Sequence, residues 1–203
     1  AKLSKYTEGL DEYSQDEGIM VNFQLLQQFG TKKEIESYIQ ANMSCGLMRE
    51  YLVETAIEDG DFERAVELCE EGISLLDNRS YSQKRSWYDW LLIISQKADN
   101  KEDVIRYARG LFLNSNYLNQ PYYSILKSTV DPKGWKEFVE DLIHLINEMD
   151  HWRVYYLLHK VFVEEEYWDR LLKLVLTNPS LDNLKENEKY LAPHYTKKYI
   201  KLY

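Results

Sequence analysis

An all-α fold, a solenoid of stacked helical hairpins, is what this sequence predicts, and three observations predict it. The first is the stretch from Met48 to Leu76, two helix-period segments hinged on Asp59-Gly60-Asp61. In its second segment Phe62, Ala65, Val66, Cys69, Ile73 and Leu76 recur at three- and four-residue spacing, with Glu63, Glu67, Glu70 and Glu71 largely on other faces. The second observation is recurrence. Phe62-Ala65-Cys69-Ile73 aligns with Lys101-Val104-Ala108-Phe112, then Trp135-Phe138-Leu142-Ile146, then Trp168-Leu171-Val175, at offsets of roughly 33 to 39 residues, the range of two-helix repeats. The third is an aromatic doublet ahead of each later anchor: Trp87-Tyr88, Tyr122-Tyr123 and Tyr155-Tyr156, with Met48-Arg49 in the corresponding place of the first unit. One hairpin cannot bury its own apolar face, so recurring hairpins stack, each on its neighbours, into an elongated array.

Taken in order, the chain opens on a polar, weakly patterned segment, Ala1 to Asp16, with Leu3, Tyr6, Leu10 and Tyr13 at helical spacing; a peripheral helix is expected there. A firmer helix follows from Ile19 to Phe29 and stops at Gly30. Thr31-Lys-Lys-Glu34 is a capping box opening a helix through Met43, with Ile35, Tyr38, Ile39 and Asn42 inward. Gly30 is expected to play the part of Gly60, the left-handed residue that ends a helix, while Asp61 caps the next one. Asp77 to Gln83 reads as a polar loop before the helix of Trp87, Trp90, Leu91 and Ile94; Asn100 caps the helix after it. Asn114 to Pro121 is a turn cluster, and Asp131-Pro132 reads as N-cap and first helical residue. Trp135 to Met149, Trp152 to Phe162 (capped by Asp150) and a helix from Trp168 to Asn178-Pro179 follow, with a turn at Glu164 to Glu166. The tail, Leu181 to Tyr203, reads as one more helix pair around Pro193. The expected hairpins are residues 19–43, 47–76, 84–113, 121–149, 151–177 and 181–203 of a single domain 1–203. With no initiator Met and a helical pattern running to the last residue, the chain reads as part of a longer one.

Composition narrows the function classes. In 203 residues 44% are apolar and the net charge is −9, a balance that folds but does not attract phosphate. The acidic excess is concentrated in the first eighty residues, and the one concentration of bases, Lys185, Lys189, Lys197, Lys198 and Lys201, is diluted by Glu186 and Glu188. Nucleic-acid binding by this chain alone is not expected. Neither a charged-then-apolar leader nor an apolar run of about eighteen residues occurs, so no membrane span is expected and the cytoplasm is the expected compartment. Cys45 and Cys69 form no Cys-x-x-Cys pair and read as buried or idle thiols.

The sequence carries no recognisable catalytic or metal-binding motif. There is no Gly-rich phosphate loop, and His144, His151, His159 and His194 lack the spacing and adjacent Glu of zinc hydrolases. Glu63, Glu67, Glu70 and Glu71 read as a solvated helix face. No catalytic residue, no cofactor and no metal site is expected. Stacked hairpins instead present extended surfaces suited to binding a protein partner.

The run GTKKEIESYIQANMSCGLMREYLVETAIEDGDFERAVELCEEGISL, with WYDWLLIISQKADNKEDVIRYARGLF, YYSILKSTV, GWKEFVEDLI and the terminal KYLAPHYTKKYIKLY, resembles the tetratricopeptide-like region C-terminal to the zinc finger in bacterial SWIM zinc finger proteins. The family's metal motif, Cys-x-Cys followed by Cys-x-His, does not occur here, so none of its ligands is carried over. The resemblance implies a larger parent whose zinc finger, of a type suspected of binding DNA or protein, lies outside this chain. It further implies a non-catalytic scaffold for protein–protein interaction; the alternatives are an enzyme or enzyme-accessory domain with a site in its groove, or a module that positions the nucleic-acid-binding finger. Tyr88, Tyr123 and Tyr156, the second members of the three doublets, are the partner-binding candidates. On a helix each points about 100° from its neighbour, and tyrosine suits interfaces by its apolar area and polar tip. The opposing expectation is that both members of each doublet pack into the core.

Overall fold

The computed structural model describes residues 12–76, 81–114, 120–149, 152–177 and 179–199, the side chains of 12–14, 81–83 and 197–199 excepted. Among these, eleven helices and no strand occur: α1 Glu12–Phe29, α2 Lys32–Ala41, α3 Gly46–Glu58, α4 Phe62–Leu75, α5 Tyr81–Lys97, α6 Lys101–Asn114, α7 Tyr122–Thr129, α8 Trp135–Asn147, α9 Val154–Glu164, α10 Trp168–Thr177 and α11 Leu181–Tyr199. The chain divides into two units, residues 1–107 and 108–203, with the division inside α6. Within the first, α1 meets α2 and α3, α3 meets α4, and α4 meets α5; within the second, α8 meets α9, α9 meets α10, and α10 meets α11. Among the described residues the fold is all-helical, and within each unit most of the contacts are between helices that follow one another in the chain.

The aligned anchors fall at corresponding places. Phe62, Lys101, Trp135 and Trp168 are the first residues of α4, α6, α8 and α10. Seven residues on, Cys69, Ala108, Leu142 and Val175 are each at most 1% exposed. The core of the first unit joins Val53 and Ala56 of α3, Ala65, Leu68 and Cys69 of α4, and Trp87, Leu91 and Ile94 of α5. A smaller cluster joins Phe23 of α1 to Cys45 and Met48. In the second unit Leu126, Val139, Ile146, Leu157, Val161, Leu171 and Leu191 are buried.

Three turns share one hydrogen-bond pattern. Asp61 N–H donates to the Ala56 carbonyl at 2.8 Å and Gly60 N–H to Ile57 at 3.2 Å. Asn100 and Asp99 donate in the same way to Ser95 and Gln96, and Tyr167 and Glu166 to Phe162 and Val163. Each is a six-to-one bond enclosing a five-to-two bond, the Schellman helix ending, which needs a left-handed residue at its outer position. That residue is Gly60 (φ 75°) in the first turn, but Asp99 (φ 53°) and Glu166 (φ 55°) in the others. For a residue with a Cβ the left-handed well costs about 1–2 kcal/mol. Asp tolerates it better than Glu because its short side chain bonds locally. Glu166→Gly is therefore expected to raise stability by about 0.5–1 kcal/mol once the added freedom of the unfolded chain is deducted, Asp99→Gly to be near neutral, and Gly60→Ala to cost about 1 kcal/mol. Urea midpoints measure all three, and a loss for Glu166→Gly would contradict this account.

Several local expectations need correction. Gly30 is not left-handed, Gly60 being the only described glycine with positive φ. Gly30 follows the last residue of α1, its N–H donating to the Leu26 carbonyl at 2.8 Å, and a Cβ there would lie 2.7 Å from that oxygen. The firm helix starts at Glu12 and runs through without a break, so two helices are one; Leu3, Tyr6 and Leu10 lie outside the described residues. Thr31 and Glu34 do form the reciprocal capping box, but α2 has no fully buried residue, and Ile35, Tyr38 and Ile39 are half-buried. Helix α5 begins at Tyr81, inside the expected polar loop, whose residues 77–80 lie outside the described ones. Asp131-Pro132 opens a turn rather than a helix: Asp131 Oδ1 accepts from Lys133 N–H at 2.8 Å, Gly134 N–H closes back on the Asp131 carbonyl at 2.9 Å, and α8 starts only at Trp135. The side chain satisfied the backbone in a turn before a helix could use it. Asp150 and Asn178 lie outside the described residues, and α9 starts at Val154, two residues later than expected. The expected pair around Pro193 is present: α11 is two helical stretches joined at a kink, with Tyr195 (φ −133°, ψ 32°) out of helical geometry two residues after the proline.

Candidate functional site

The three candidate tyrosines have different surroundings. Tyr88, in the first unit, is 41% exposed, its ring 6.5 Å from that of Tyr107, while Trp87 beside it is buried. Tyr156, in the second unit, is 48% exposed; Trp152 one turn earlier is 65% exposed and meets it edge to face at 5.9 Å. Tyr123 is 1% exposed and cannot belong to a partner-binding strip in this fold. Its ring sits 5.4 Å from Phe112 and 5.7 Å from Trp135. Helix α7 buries both members of its doublet, Tyr122 and Tyr123, along with Leu126. The place of the doublet in α3 is taken by Met48 and Arg49, also both buried.

Two polar centres hold these helices, and neither carries a sequence motif. Arg49, 4% exposed, donates from Nη2 to the Met43 carbonyl at 2.7 Å and from Nη1 to Glu71 Oε2 at 2.7 Å and the Leu68 carbonyl at 3.4 Å. Glu165, at the end of α9, accepts from the Tyr123 hydroxyl at 3.1 Å and Lys127 Nζ at 2.9 Å on Oε1, and from Trp135 Nε1 at 2.9 Å on Oε2. A third cluster links α9 to α11. The Tyr155 hydroxyl donates to Asn183 Oδ1 at 2.5 Å, His159 Nε2 meets Asn187 Oδ1 at 2.7 Å, and buried Asn187 donates to the Asn183 carbonyl at 2.8 Å. The Trp168 ring stacks with those of Tyr190 at 6.2 Å and His194 at 5.2 Å, one turn apart on α11. The aromatic pattern marked Tyr155 and Trp168 as packing residues; the asparagines gave no signal, because an amide inside a polar helical face looks like surface until its partner is known.

Burial pushes the phenols of Tyr38, Tyr107, Tyr123, Tyr155 and Tyr167 above their ordinary 10.0, with nearby Glu165 adding to the effect at Tyr123. A raised native pKa means that the folded state holds its proton when the unfolded chain has lost it. Stability is therefore full below the unfolded value and falls as pH rises past about 10. Urea midpoints are expected to drop above that pH, and to drop less steeply in Tyr123→Phe. Burial likewise pushes the thiols up, Cys45 to about 11 and Cys69 to about 12, so both stay protonated and weakly nucleophilic at neutral pH.

Surface grooves also occur among the described residues. One, about 420 Å³, lies in the second unit among Lys136, Glu140, Tyr167, Trp168, Asp169, Arg170 and Tyr195. Across it Arg170 bridges to Glu140 at 2.8 Å and the Tyr195 hydroxyl donates to Asp169 at 2.6 Å, and Glu166 also lines it. Another, about 400 Å³, lies in the first unit where the first turns of α4 and α6 flank the last turn of α5. Phe62, Val66, Ile94 and Ala98 line it with Glu63, Glu67 and Asp103, and no Lys, Arg or His does. Glu67 is bridged by Arg64 at 2.8 Å and Asp103 by Arg106 at 3.0 Å, whereas Glu63 makes no ion pair among the described residues.

Among the described residues no group of three or more His, Cys, Asp and Glu is placed to hold a metal ion, and no helix is long and apolar enough to cross a membrane. His151 lies outside them. No protein-family model, no curated protein and no solved structure matches the chain.

Proposed function

We propose that this chain is a non-catalytic helical-repeat scaffold that binds a protein partner, acting in the cytoplasm within a larger SWIM zinc finger-type protein. The observation that carries the reading is the recurrence of one helix ending at Gly60, Asp99 and Glu166, each followed directly by a second helix whose seventh residue beyond its anchor is buried. Repeated hairpins of that kind lend themselves to a tetratricopeptide-like superhelix, whose usual work is to offer surface rather than a reaction centre. Exposed aromatic area at Trp152 and Tyr156 gives such a surface an anchor, aromatics being enriched where proteins meet.

Site-specific photo-crosslinking tests it. A photoreactive side chain at Tyr156, or at Tyr88, introduced into the full-length parent in its native cells is expected to trap a discrete protein species that the same probe at the buried Tyr123 position does not. Trapping of nucleic acid, or of nothing at either exposed position, would reject the scaffold.

A further inference from the structure

The net charge of −9 is not shared between the units: residues 1–107 hold 21 Asp and Glu against 12 Lys and Arg, and residues 108–203 hold 13 of each. The groove between α4, α5 and α6 lies in the charged unit and repeats its sign locally. Its floor is apolar, with Ile94 1% exposed and Phe62 and Val66 half-buried, while Glu63 and Glu67 stand one turn apart on its α4 edge and Asp103 on its α6 edge. Glu70 continues the α4 row, close enough that its charge and that of Asp103 both act on the Tyr107 phenol.

We propose that this groove docks a basic amphipathic segment of a partner protein, aliphatic side chains entering between Phe62, Val66, Ile94 and Ala98 while Lys or Arg side chains reach Glu63, Glu67 and Asp103. Charge complementarity selects that occupant. An acidic or phosphate-bearing ligand would meet Glu63, which makes no ion pair among the described residues, beside the arginine-bridged carboxylates of Glu67 and Asp103, with no Lys, Arg or His in the lining. A purely apolar segment would leave Glu63 without a counter-charge. Helix-in-groove recognition has this form, apolar anchors on one helical face and complementary charge along the rim. Excess negative potential over the whole unit would speed the encounter, and salt would slow it. The proposal rests on the scaffold reading and names the chemistry of one partner site within it.

The test uses a synthetic peptide of about 18 residues with leucines on one helical face and lysines elsewhere, read by fluorescence anisotropy on the whole chain. A scrambled peptide of the same composition and a peptide with Glu in place of Lys serve as controls. Expected are saturable binding of the first peptide alone, a loss of about tenfold or more in the Glu63→Lys, Glu67→Lys double variant, and protection of α4–α6 amides from hydrogen exchange. Ala98→Trp, filling an exposed position of the floor, is expected to weaken binding comparably. Glu54→Lys with Glu58→Lys, the same charge change on exposed positions of α3, is expected to weaken it far less; all variants are checked for wild-type helicity by circular dichroism. Equal binding of the scrambled peptide, or equal loss in the α3 variant, would mean diffuse attraction and overturn the site. A change of sedimentation coefficient in the groove variants without added peptide would assign the groove to a second copy of this chain and overturn it too. Failure here with a protein still trapped through Tyr156 would sink the groove and leave the scaffold standing; failure of both would sink the scaffold.

Discussion

Replacing Arg49 with methionine is expected to cost the first unit about 3 kcal/mol, the upper part of the range for point substitutions. The guanidinium is 4% exposed and reaches three acceptors on two sides: Met43 in the α2–α3 connection, and Leu68 and Glu71 on α4. Methionine keeps most of the stem's volume, so the loss isolates the polar head. What remains unpaired is chiefly the Met43 carbonyl, since Glu71 is half exposed and water can take up its carboxylate. For that reason Glu71→Ala is expected to cost only about 1 kcal/mol. The double variant should cost less than the two added together, by up to about 1 kcal/mol, because the shared ion pair is lost once. Gly72 belongs to the same arrangement. A Cβ there would sit 2.6 Å from the Trp87 ring and 3.0 Å from Arg49 Cδ, so Gly72→Ala pushes the indole off α4. Urea unfolding of each variant followed by circular dichroism measures the series. If Arg49→Met unfolds at the wild-type midpoint, Arg49 is a passenger and α3 and α4 are held by their apolar core alone.

Those two positions show where sequence reading stops. The helices were legible because their apolar residues recur at three and four, and the second helices begin at the aligned anchors Phe62, Lys101, Trp135 and Trp168. Capping at Thr31, Asp61 and Asn100 was legible because each depends on a partner three residues away. Gly60 was legible too, but Asp99 and Glu166 in the same backbone well were not: the helix-ending hydrogen bonds require a conformation that their side chains do not advertise. Arg49 broke the aromatic pattern and read as an irregularity, because whether a charge is buried depends on acceptors 6 to 22 residues away that periodicity does not pair. Gly72 sits inside a helix, where a glycine is unfavourable, and its reason lies on another helix. The doublets fared unevenly for a related cause. Position on a helix fixes the direction of a side chain, not what lies in that direction: Tyr88 and Tyr156 meet partial exposure where Tyr123 meets Phe112, Trp135 and Glu165.

Glu165→Ala is expected to cost the second unit about 3–4 kcal/mol. The carboxylate is 10% exposed and gathers α7, α8 and the end of α9 through three donors. Its parts are unequal. Lys127 is 46% exposed and can turn to water, so its share is under about 1 kcal/mol. Tyr123 cannot, and the larger share is the hydroxyl left without an acceptor in a site 1% exposed, with the Trp135 N–H beside it, each worth about 1–3 kcal/mol when buried unpaired. Glu165→Gln separates charge from shape. Its amide oxygen accepts from one side and its NH₂ faces a donor on the other, so about half the loss is expected. Tyr123→Phe removes the donor and the need for it together, and should cost about 1–2 kcal/mol in the wild type but much less in the Glu165→Ala background. Trp135 reports directly, because its indole N–H lies 2.9 Å from Oε2; loss of that bond should shift its emission before the unit unfolds. If Glu165→Ala leaves both the midpoint and the emission unchanged, the three donors find other partners, and α7, α8 and the end of α9 are held without this carboxylate.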